Sequence, residues 1–415
     1  MTEPATLGID FGTSNSAAGI ARDGRPHLVE LEPGEQTLPT AVFFEEDGRQ
    51  MEIGRKATRA LIDGDEGRFM RALKSVLGTS LMHEERRIQG KRLTFVDIIA
   101  RFLAEVKTRA EAATGQDYTH ALSGRPVRFH SADDDRNARA EEDLRACYLA
   151  AGFQDVRFMY EPEAALRATP PAPGYGLIVD IGGGTSDFTA FEQGAGGDAI
   201  ILASHGVRIG GTDFDRRLSI DHVMPELGRG SQIRNTMGQD TLPAPARLFN
   251  DLATWAMIPF LYTPDTRRMA RDLARQAVEP ARLARLEKVL EEELGHDLAF
   301  AVEAGKIAVN AGETGRIGLG MIERGLSVPL SEAGLVGSLA ESMTGIAGAA
   351  AETLALAGLG ADRIDRIVLV GGSSLMHSVQ AAVQDVCPQA RVESGKALTG
   401  VADGLALAAD SAFAV

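Results

Sequence analysis

Two segments of the chain share an unusual pattern, in which an apolar strand reaches an aspartate, breaks at a glycine turn and continues as a second apolar strand. The first turn follows Asp10 in the sequence DFGT, and the second follows Asp180 in the sequence DIGG. Because glycine lacks a β-carbon, the backbone N–H groups of such a turn are open to an anion, above all phosphate. A single glycine turn can be an ordinary hairpin, but two matching turns indicate an internal repeat.

The two turns together predict a site for a polyphosphate. Thr13 and Thr185 lie within or just after the turns, and the preceding aspartates, Asp10 and Asp180, could hold Mg²⁺ through its water shell. The chain has no Gly-x-x-x-x-Gly-Lys-Ser/Thr loop, and no Gly-x-Gly-x-x-Gly run leads from the first strand into a helix. The pattern therefore differs from the Walker loop and from the dinucleotide-binding fold.

Charge and composition narrow the function further. The chain has 415 residues with a formal net charge of −15, which argues against nucleic acid as a general partner. Cys147 and Cys387 give neither a disulfide framework nor a metal-ligand spacing, and the eight histidines form no ligand pair or catalytic triad. With no basic segment before the first strand, we expect a cytoplasmic protein without a secretory signal. The apolar stretch 335–360 contains two glutamates, so we expect a buried helix and no membrane partner.

Apolar periodicity divides the chain into strands and helices. The first 30 residues predict a β-meander with a turn at Asp23 and Gly24, and residues 66–78 and 94–114 predict helices. A strand before Pro126, a helix after residue 132, a strand at 156–160 and a short helix at 161–169 follow. The Pro- and Gly-rich residues 169–176 are the best candidate boundary. Beyond it we expect strands on both sides of the second turn, a mostly helical segment at 215–294, a strand ending at a glycine pair near 371, and a C-terminal helix.

Four motifs in this order resemble a known family. They are GIDFGTSNS at 8–16, VDIGGGTSDF at 179–188, GVRIGGTDFD at 206–215 and IVLVGGSSLM at 367–376. They are similar to the phosphate-one, phosphate-two and adenosine motifs of the actin-like ATPase superfamily. Within it they most resemble the nucleotide-binding domain of the seventy-kilodalton heat-shock protein chaperones, and the resemblance covers nearly the whole chain.

The resemblance implies an α/β fold of two actin-like (ribonuclease H-like) lobes with the nucleotide in the cleft between them. Lobe I would comprise residues 1–169, closed by a C-terminal helix in 395–415, and lobe II would comprise 170–394 with a helical insertion at 215–310. The sequence given ends at Val415, where family chaperones continue into a β-sandwich, so we expect no peptide-binding domain.

The resemblance also assigns roles to individual residues, with ATP or ADP and Mg²⁺ as cofactors. It implies catalytic roles for Lys74, Glu161, Asp180, Thr185 and Asp10, with Asp10 and Asp180 holding Mg²⁺ through water. Pro126 matches a proline that couples nucleotide to inter-domain movement, and Asp187 matches the aspartate after the second turn. The implied nucleotide contacts are Gly12, Thr13, Ser14, Asn15, Gly182, Gly183, Gly184, Gly210, Gly211, Glu303, Lys306, Gly371, Gly372, Ser373 and Leu375.

Several of these residues also have purely structural interpretations. Lys74 could be a solvated lysine on an amphipathic helix, and Glu161 before Pro162 could cap a helix. Asp187 could be a turn residue, and Pro126 could simply end a strand.

The resemblance weakens around the base. Ile307 stands where the family has an arginine on the helix that carries Glu303 and Lys306, and Leu375 stands where the second arginine is expected. Stacking of a cation on the base would be replaced by apolar contact. We therefore expect weaker nucleotide binding than in typical family members, or a relaxed base preference.

The sequence thus predicts a Mg²⁺-dependent ATP-binding protein that hydrolyses ATP slowly and couples it to lobe closure, with a protein partner or co-chaperone as a further possibility. Two alternatives stay open. One is a nucleotide-gated, filament-forming interaction protein, and the other is a small-molecule kinase of the same superfamily, which would require an acid in the first lobe to deprotonate a substrate hydroxyl.

Overall fold

The computed structural model describes residues 5–46, 50–129, 133–197, 199–234, 240–394 and 397–414. Within these ranges the strands, numbered in chain order, are β1 (Thr6–Phe11), β2 (Asn15–Arg22), β3 (Arg25–Leu28), β4 (Leu38–Pro39), β5 (Ala41–Glu45), β6 (Met51–Ile53), β7 (Gly67–Arg71), β8 (Arg86–Ile88), β9 (Lys91–Leu93), β10 (His120–Arg125), β11 (Asp155–Tyr160), β12 (Gly174–Ile181), β13 (Ser186–Gln193), β14 (Ala199–Val207), β15 (Gln232–Arg234), β16 (Thr241–Pro243), β17 (Arg316–Gly318), β18 (Ser327–Pro329), β19 (Ile364–Val370) and β20 (Arg391–Glu393).

The α-helices of the same ranges are α1 (Gly54–Ile62), α2 (Phe95–Thr114), α3 (Asp134–Ala150), α4 (Glu161–Arg167), α5 (Gly211–Leu218), α6 (Ala246–Leu252), α7 (Pro264–Gln276), α8 (Pro280–Glu291), α9 (Gly295–Asn310), α10 (Glu332–Leu356), α11 (His377–Val386) and α12 (Gly400–Ala412). None of the helices within the described ranges is both long and apolar enough to cross a membrane.

The chain divides into two compact units. The large unit comprises Met1–Arg208, Ile346–Leu375 and Val379–Val415, and the small unit comprises Ile209–Gly345 with Met376–Ser378. The small unit contains α5 to α9, the first part of α10 and the two-stranded sheets β15-β16 and β17-β18. The large unit contains both glycine turns, each in its own sheet.

The two main sheets of the large unit have the same strand order when one of them is read from its opposite edge. The first is β11-β10-β1-β2-β3, with β4 also paired to β2, and the second is β14-β13-β12-β19-β20. In each sheet three consecutive strands form an antiparallel meander. The first strand of the meander also pairs parallel with a later strand, which in turn pairs parallel with one more. The repeat expected from the glycine turns is therefore present as a repeated topology.

Two helices cover the first sheet closely. Helix α12 packs on β1, β2, β3 and β10 and on α4. A β-carbon added to Gly8 would lie 2.7 Å from the carbonyl carbon of Leu405, and one added to Gly404 would lie 1.7 Å from the carbonyl oxygen of Ala164. The backbones of β1, α12 and α4 therefore approach one another more closely than any side chain would allow. Residues 395, 396 and 415 of the predicted C-terminal segment lie outside the described residues.

Most of the predicted elements are confirmed. The strands on both sides of each glycine turn are β1, β2, β12 and β13, and the strand expected before the glycine pair is β19. Helix α2 begins with a capping box between Thr94 and Asp97. The Asp23-Gly24 turn has positive φ angles of 52° and 70°, as a tight hairpin turn requires.

The helix predicted over residues 66–78 was wrong. Gly67–Arg71 is strand β7, which pairs antiparallel with β5, and Leu73–Val76 is a single 3-10 turn. Ala72 lies between them in the left-handed region, with φ 56°. Apolar spacing in this short segment fits a helix as well as a strand, and pairing with β5 decides for the strand. The interpretation of Lys74 as a solvated helix residue fails with it.

Candidate functional site

The Lys74 ammonium and the Glu161 carboxylate form a nearly buried ion pair in the large unit. Lys74 lies in the 3-10 turn after β7, and Glu161 is the first residue of α4. The Lys74 Nζ donates to Glu161 Oε1 at 2.5 Å, and the two side chains are only 9% and 13% exposed. Sequence analysis assigned both residues to one site, and the structure brings them together.

Three aspartates surround this ion pair. Asp10 lies near the end of β1, and Asp180 of β12 lies directly opposite Asp187 of β13. Burial, followed by the negative charge of Glu161, raises the pKa of Asp10 to about 7 and that of Asp187 to about 7. The same two effects, with added repulsion from Asp187 and Asp10, raise the pKa of Asp180 well above its usual range.

Lys74 counteracts part of this repulsion. Burial by itself would lower the pKa of Lys74, but the negative charges of Glu161 and Asp10 outweigh it, so the pKa is raised. The ammonium in turn lowers the pKa values of Asp10, Asp180 and Asp187. When all four carboxyl groups are ionised, one ammonium leaves an excess of negative charge, which a divalent cation would compensate. Among the described residues, no group of three or more His, Cys, Asp or Glu is arranged to hold a metal ion directly.

Glycines bring the turns close to these acids. A β-carbon at Gly12 would lie 2.1 Å from the carbonyl oxygen of Asn15, so the first turn is too tight for a side chain there. A β-carbon at Gly183 would lie 2.3 Å from Ser14 Oγ, so the two turns lie side by side. Gly371 has a φ of 79°, and a β-carbon there would lie 2.8 Å from Asp180 Oδ1. The two turns and the end of β19 thus meet at one place.

The other predicted contacts of the large unit lie on or next to these turns. In the first turn Thr13 and Ser14 are half-buried, and in the second Gly182 N–H donates to the Thr185 carbonyl at 3.0 Å. Gly184 and Thr185 are exposed. The residues after β19 form a 3-10 turn, in which Gly372 is exposed and Ser373 and Leu375 are half-buried.

Pro126 also lies beside the acids. A pocket next to the ion pair is lined by Pro126 and Val127 together with Glu161, Asp180 and Asp187. The predicted position of Pro126 after the last residue of β10 is confirmed, and its side chain faces the same pocket as the acids.

The remaining predicted contacts belong to the small unit. Gly210 is the residue before α5 and its N–H donates to Asp213 Oδ2 at 3.0 Å, while Gly211 is the buried first residue of α5. On α9, Glu303 is exposed, whereas Lys306 is only 6% exposed. The Lys306 Nζ lies 2.7 Å from Asp215 Oδ1, so this ammonium forms an ion pair between α9 and α5. The side chain of Ile307, one position further, is exposed.

Sequence reasoning missed two residues that shape the site. Gly206 of β14 lies opposite Asp187, and a β-carbon there would lie 2.7 Å from Asp187 Oδ1. Asp215 lies in a quoted motif but was given no role, although it pairs with Lys306. A glycine inside a strand often marks a close approach, so Gly206 carried a readable signal. No sequence pattern indicated that Asp215 would pair with Lys306.

The fold and the site define a class of protein. The mixed α/β sheets fit the actin-like ATPase fold of Hsp70 proteins, and the sequence model of the Hsp70 protein family matches residues 6–95 and 82–243. The chain belongs to the Hsp70 family.

Two curated relatives carry the name chaperone protein DnaK. The one from Endomicrobium trichonymphae is 32% identical over 278 residues, which cover 61% of this chain and 42% of the relative. The one from Methanothermobacter thermautotrophicus is 34% identical over 226 residues, which cover 51% of this chain and 35% of the relative. The matched part of the chain thus spans less than half the length of these relatives.

Proposed function

We propose that this chain binds ATP with Mg²⁺ and hydrolyses it slowly. The observation that carries the proposal is the nearly buried ion pair of Lys74 and Glu161, set among Asp10, Asp180 and Asp187 beside two adjoining glycine turns. Membership of the Hsp70 family and similarity to DnaK chaperones support it.

Each group would have a separate role in phosphoryl transfer to water. The backbone N–H groups of the two turns would bind the phosphate oxygens, and Lys74 would neutralise charge that develops on the transferred group. Glu161 would orient the attacking water, because it is held in place by Lys74. Asp10 and Asp180 would hold hydrated Mg²⁺, which neutralises phosphate charge when bound.

We also propose that nucleotide acts as a conformational signal. As the family resemblance implies, the nucleotide would occupy a cleft between lobe I (1–169 with 395–415) and lobe II (170–394), and lobe closure would be the output. A protein partner or co-chaperone would read that output. The proposed base contacts include Ile307 and Leu375, and their apolar side chains favour weak or relaxed base selection.

The deciding experiment is a side-by-side measurement of the wild type and Lys74→Ala. Mg²⁺-dependent ATP binding is followed by calorimetry, and hydrolysis is followed in a single turnover with protein in excess. We expect the wild type to bind and hydrolyse ATP, and Lys74→Ala to bind but hydrolyse at least about a hundredfold more slowly. A wild type that neither binds nor hydrolyses ATP would refute the proposal.

Base selection has its own test. ATP, GTP and CTP are titrated against the wild type and against Ile307→Arg with Mg²⁺ present. We expect the substitution to strengthen ATP binding by about three- to tenfold through cation stacking on the base. Sub-micromolar ATP affinity with strict adenine selectivity in the wild type would contradict the expectation.

A further inference from the structure

Arg125 occupies a central position beside the candidate site. It is the last residue of β10, and its neighbour in the sheet is Tyr160, the last residue of β11. Glu161 follows Tyr160 directly and begins α4. The Arg125 side chain is only 12% exposed, so its charge lies mostly inside the protein.

The Arg125 guanidinium contacts two chain segments at once. Its Nε donates to the carbonyl oxygen of Pro126 at 3.1 Å, and its Nη2 donates to that of Val127 at 3.3 Å. Its central carbon lies 5.2 Å from the ring centroid of Tyr160. These contacts use the planar fork of donors and the stacking face that distinguish arginine from lysine.

Two further contacts fix the guanidinium itself. It stacks on the ring of Phe129 at 5.2 Å and forms an ion pair with Glu141 of α3. With its donors engaged and two aromatic rings beside it, the group has little rotational freedom, so it can act as a rigid connection between its neighbours.

Both segments that Arg125 connects border Glu161. Pro126 and Val127 line a pocket that Glu161 also lines. On the other side, Tyr160 is the residue before Glu161. The residue preceding Arg125, Gly124, is also close, because a β-carbon there would lie 3.3 Å from Glu161 Cγ. The start of α4 is therefore enclosed by residues whose positions depend on Arg125.

We propose that Arg125 is a positioning residue for Glu161, which it holds against Lys74 by connecting Tyr160 to the Pro126 and Val127 carbonyls. The catalytic consequence rests on the proposed function, because Glu161 is there the group that orients water. The structural consequence does not, because the contact between Glu161 and Lys74 exists without nucleotide.

The test compares Arg125→Gln with Arg145→Gln. Arg145 is a matched control, since it stacks on Phe158 at 5.1 Å, donates to the Val156 carbonyl at 2.6 Å and pairs with Asp155 at 3.4 Å. It makes the same kinds of contact with β11 but none with the residues around Glu161 described above. Arg145 is more exposed than Arg125, at 40% against 12%, so Arg125→Lys serves as a second control for loss of packing.

Two readouts are measured on the full chain. In single-turnover hydrolysis we expect Arg125→Gln to be at least about tenfold slower, with ATP affinity changed by less than about threefold, and Arg145→Gln to stay within about twofold of the wild type. In competitive acetylation read by mass spectrometry, we expect labelling of Lys74 to rise about tenfold in Arg125→Gln, because an ammonium without its carboxylate partner loses its proton more readily. Labelling of Lys74 should be unchanged in Arg145→Gln.

Arg125→Lys separates positioning from charge. It retains a positive charge near Glu141 but lacks the fork that reaches both carbonyls, so we expect it to resemble Arg125→Gln in both readouts. If lysine restores rate and labelling, or if Arg125→Gln and Arg145→Gln behave alike, the proposal is overturned. If the wild type does not hydrolyse ATP, the proposed function fails, and Lys74 labelling still decides the positioning role. Should Arg125→Gln not fold, Arg125→Lys carries both readouts.

Discussion

In the first sheet Asp10 lies opposite Ala17 on the neighbouring strand, whereas at the matching place in the second sheet Asp180 lies opposite Asp187. The same topology therefore carries one acid at the first turn and a cross-strand pair of acids at the second. Like charges directly opposite each other destabilise a sheet. The ammonium of Lys74, which lies between β7 and α2 in the chain, offsets part of this cost, because it opposes the rise in the pKa values of both acids.

The comparison shows how a repeated fold can divide a site between its halves. The second half contributes two acids and a turn with three glycines, and the first half contributes Asp10 and the ion pair of Lys74 and Glu161. Substitutions can alter the contribution of each half separately. The tests below run from the largest expected effect to the smallest.

Removing the lysine from the first half should have the largest effect on stability. In Lys74→Met the Glu161 carboxylate stays nearly buried without its partner, which should lower the free energy of unfolding by about 3–5 kcal/mol. Urea denaturation without nucleotide measures it. The double variant Lys74→Met/Glu161→Gln should regain most of the loss, because the uncompensated charge is gone.

Lys56→Met provides the control. Lys56 is 74% exposed and pairs with Glu52 at 4.0 Å, so its loss should change the free energy of unfolding by less than about 1 kcal/mol. Equal changes in the free energy of unfolding for Lys74→Met and Lys56→Met would show that the buried ion pair matters no more to stability than an exposed one.

The close packing of helix α12 should distinguish the two sheets next. Gly8, two residues before Asp10, contacts the α12 backbone, whereas the matching residue before Asp180 is the buried Ile178. Gly8→Ala should lower the free energy of unfolding by about 1–3 kcal/mol through overpacking. Thermal and urea denaturation measure the change.

A glycine with free space should respond in the opposite direction. A β-carbon at Gly348, in α10, would meet no atom within 4 Å. Gly348→Ala should therefore raise the free energy of unfolding by about 0.5–1 kcal/mol through helix propensity. A Gly8→Ala variant as stable as the wild type would mean that α12 can move away from the first sheet at little cost.

The second turn offers a pair of neighbouring glycines with different surroundings. A β-carbon at Gly184 would meet no atom within 4 Å, while one at Gly183 would meet Ser14 Oγ at 2.3 Å. If phosphate lies against this turn, Gly184→Ala should weaken ATP binding by about tenfold while leaving stability unchanged. Gly183→Ala should weaken ATP binding and also lower the free energy of unfolding. Adding Ser14→Ala should restore the free energy of unfolding.

Calorimetric titration and urea denaturation of the three variants give the answer. Unchanged ATP affinity in Gly184→Ala would remove the second turn from the phosphate site.

The burial of Asp187 should finally make the stability of the protein depend on pH. The pKa of Asp187 is about 7 in the folded protein against 3.8 for a free side chain, so the folded state holds this proton more tightly. Its contribution to stability is complete below pH 3.8 and is lost as the pH rises to about 7. In Asp187→Asn the fall in the free energy of unfolding between about pH 4 and about pH 8 should be smaller by at least about 1 kcal/mol.

Urea denaturation at several pH values without Mg²⁺ checks this, with the exposed Asp65→Asn as control. Identical pH profiles for Asp187→Asn and the wild type would mean that burial and the charge of Glu161 do not raise the pKa of Asp187. Mg²⁺ at about pH 8 should stabilise the wild type more than Asp187→Asn, because a cation compensates the ionised acids.

Much of the fold could be predicted from local sequence. The strands on both sides of Gly12 and of Gly182–Gly184 were readable because apolar runs ended at aspartate and glycine, and α2 was readable from its apolar spacing and from Asp97 near its start. Residues 67–71 were wrongly predicted to be helical because apolar spacing in a short segment does not show which strand the segment will pair with. That information lies in β5, more than twenty residues earlier.

The sequence by itself determined the two strand–turn–strand repeats and the residues that could contact a phosphate, because both depend on conformations of neighbouring residues. Tertiary structure alone decided that Gly206 leaves room for Asp187, that Lys306 pairs with Asp215, and that Arg125 encloses the start of α4. The reason is physical. The raised pKa values and the Lys74–Glu161 ion pair come from burial and from charges brought together over long separations in the chain, and local sequence patterns carry no record of those distances.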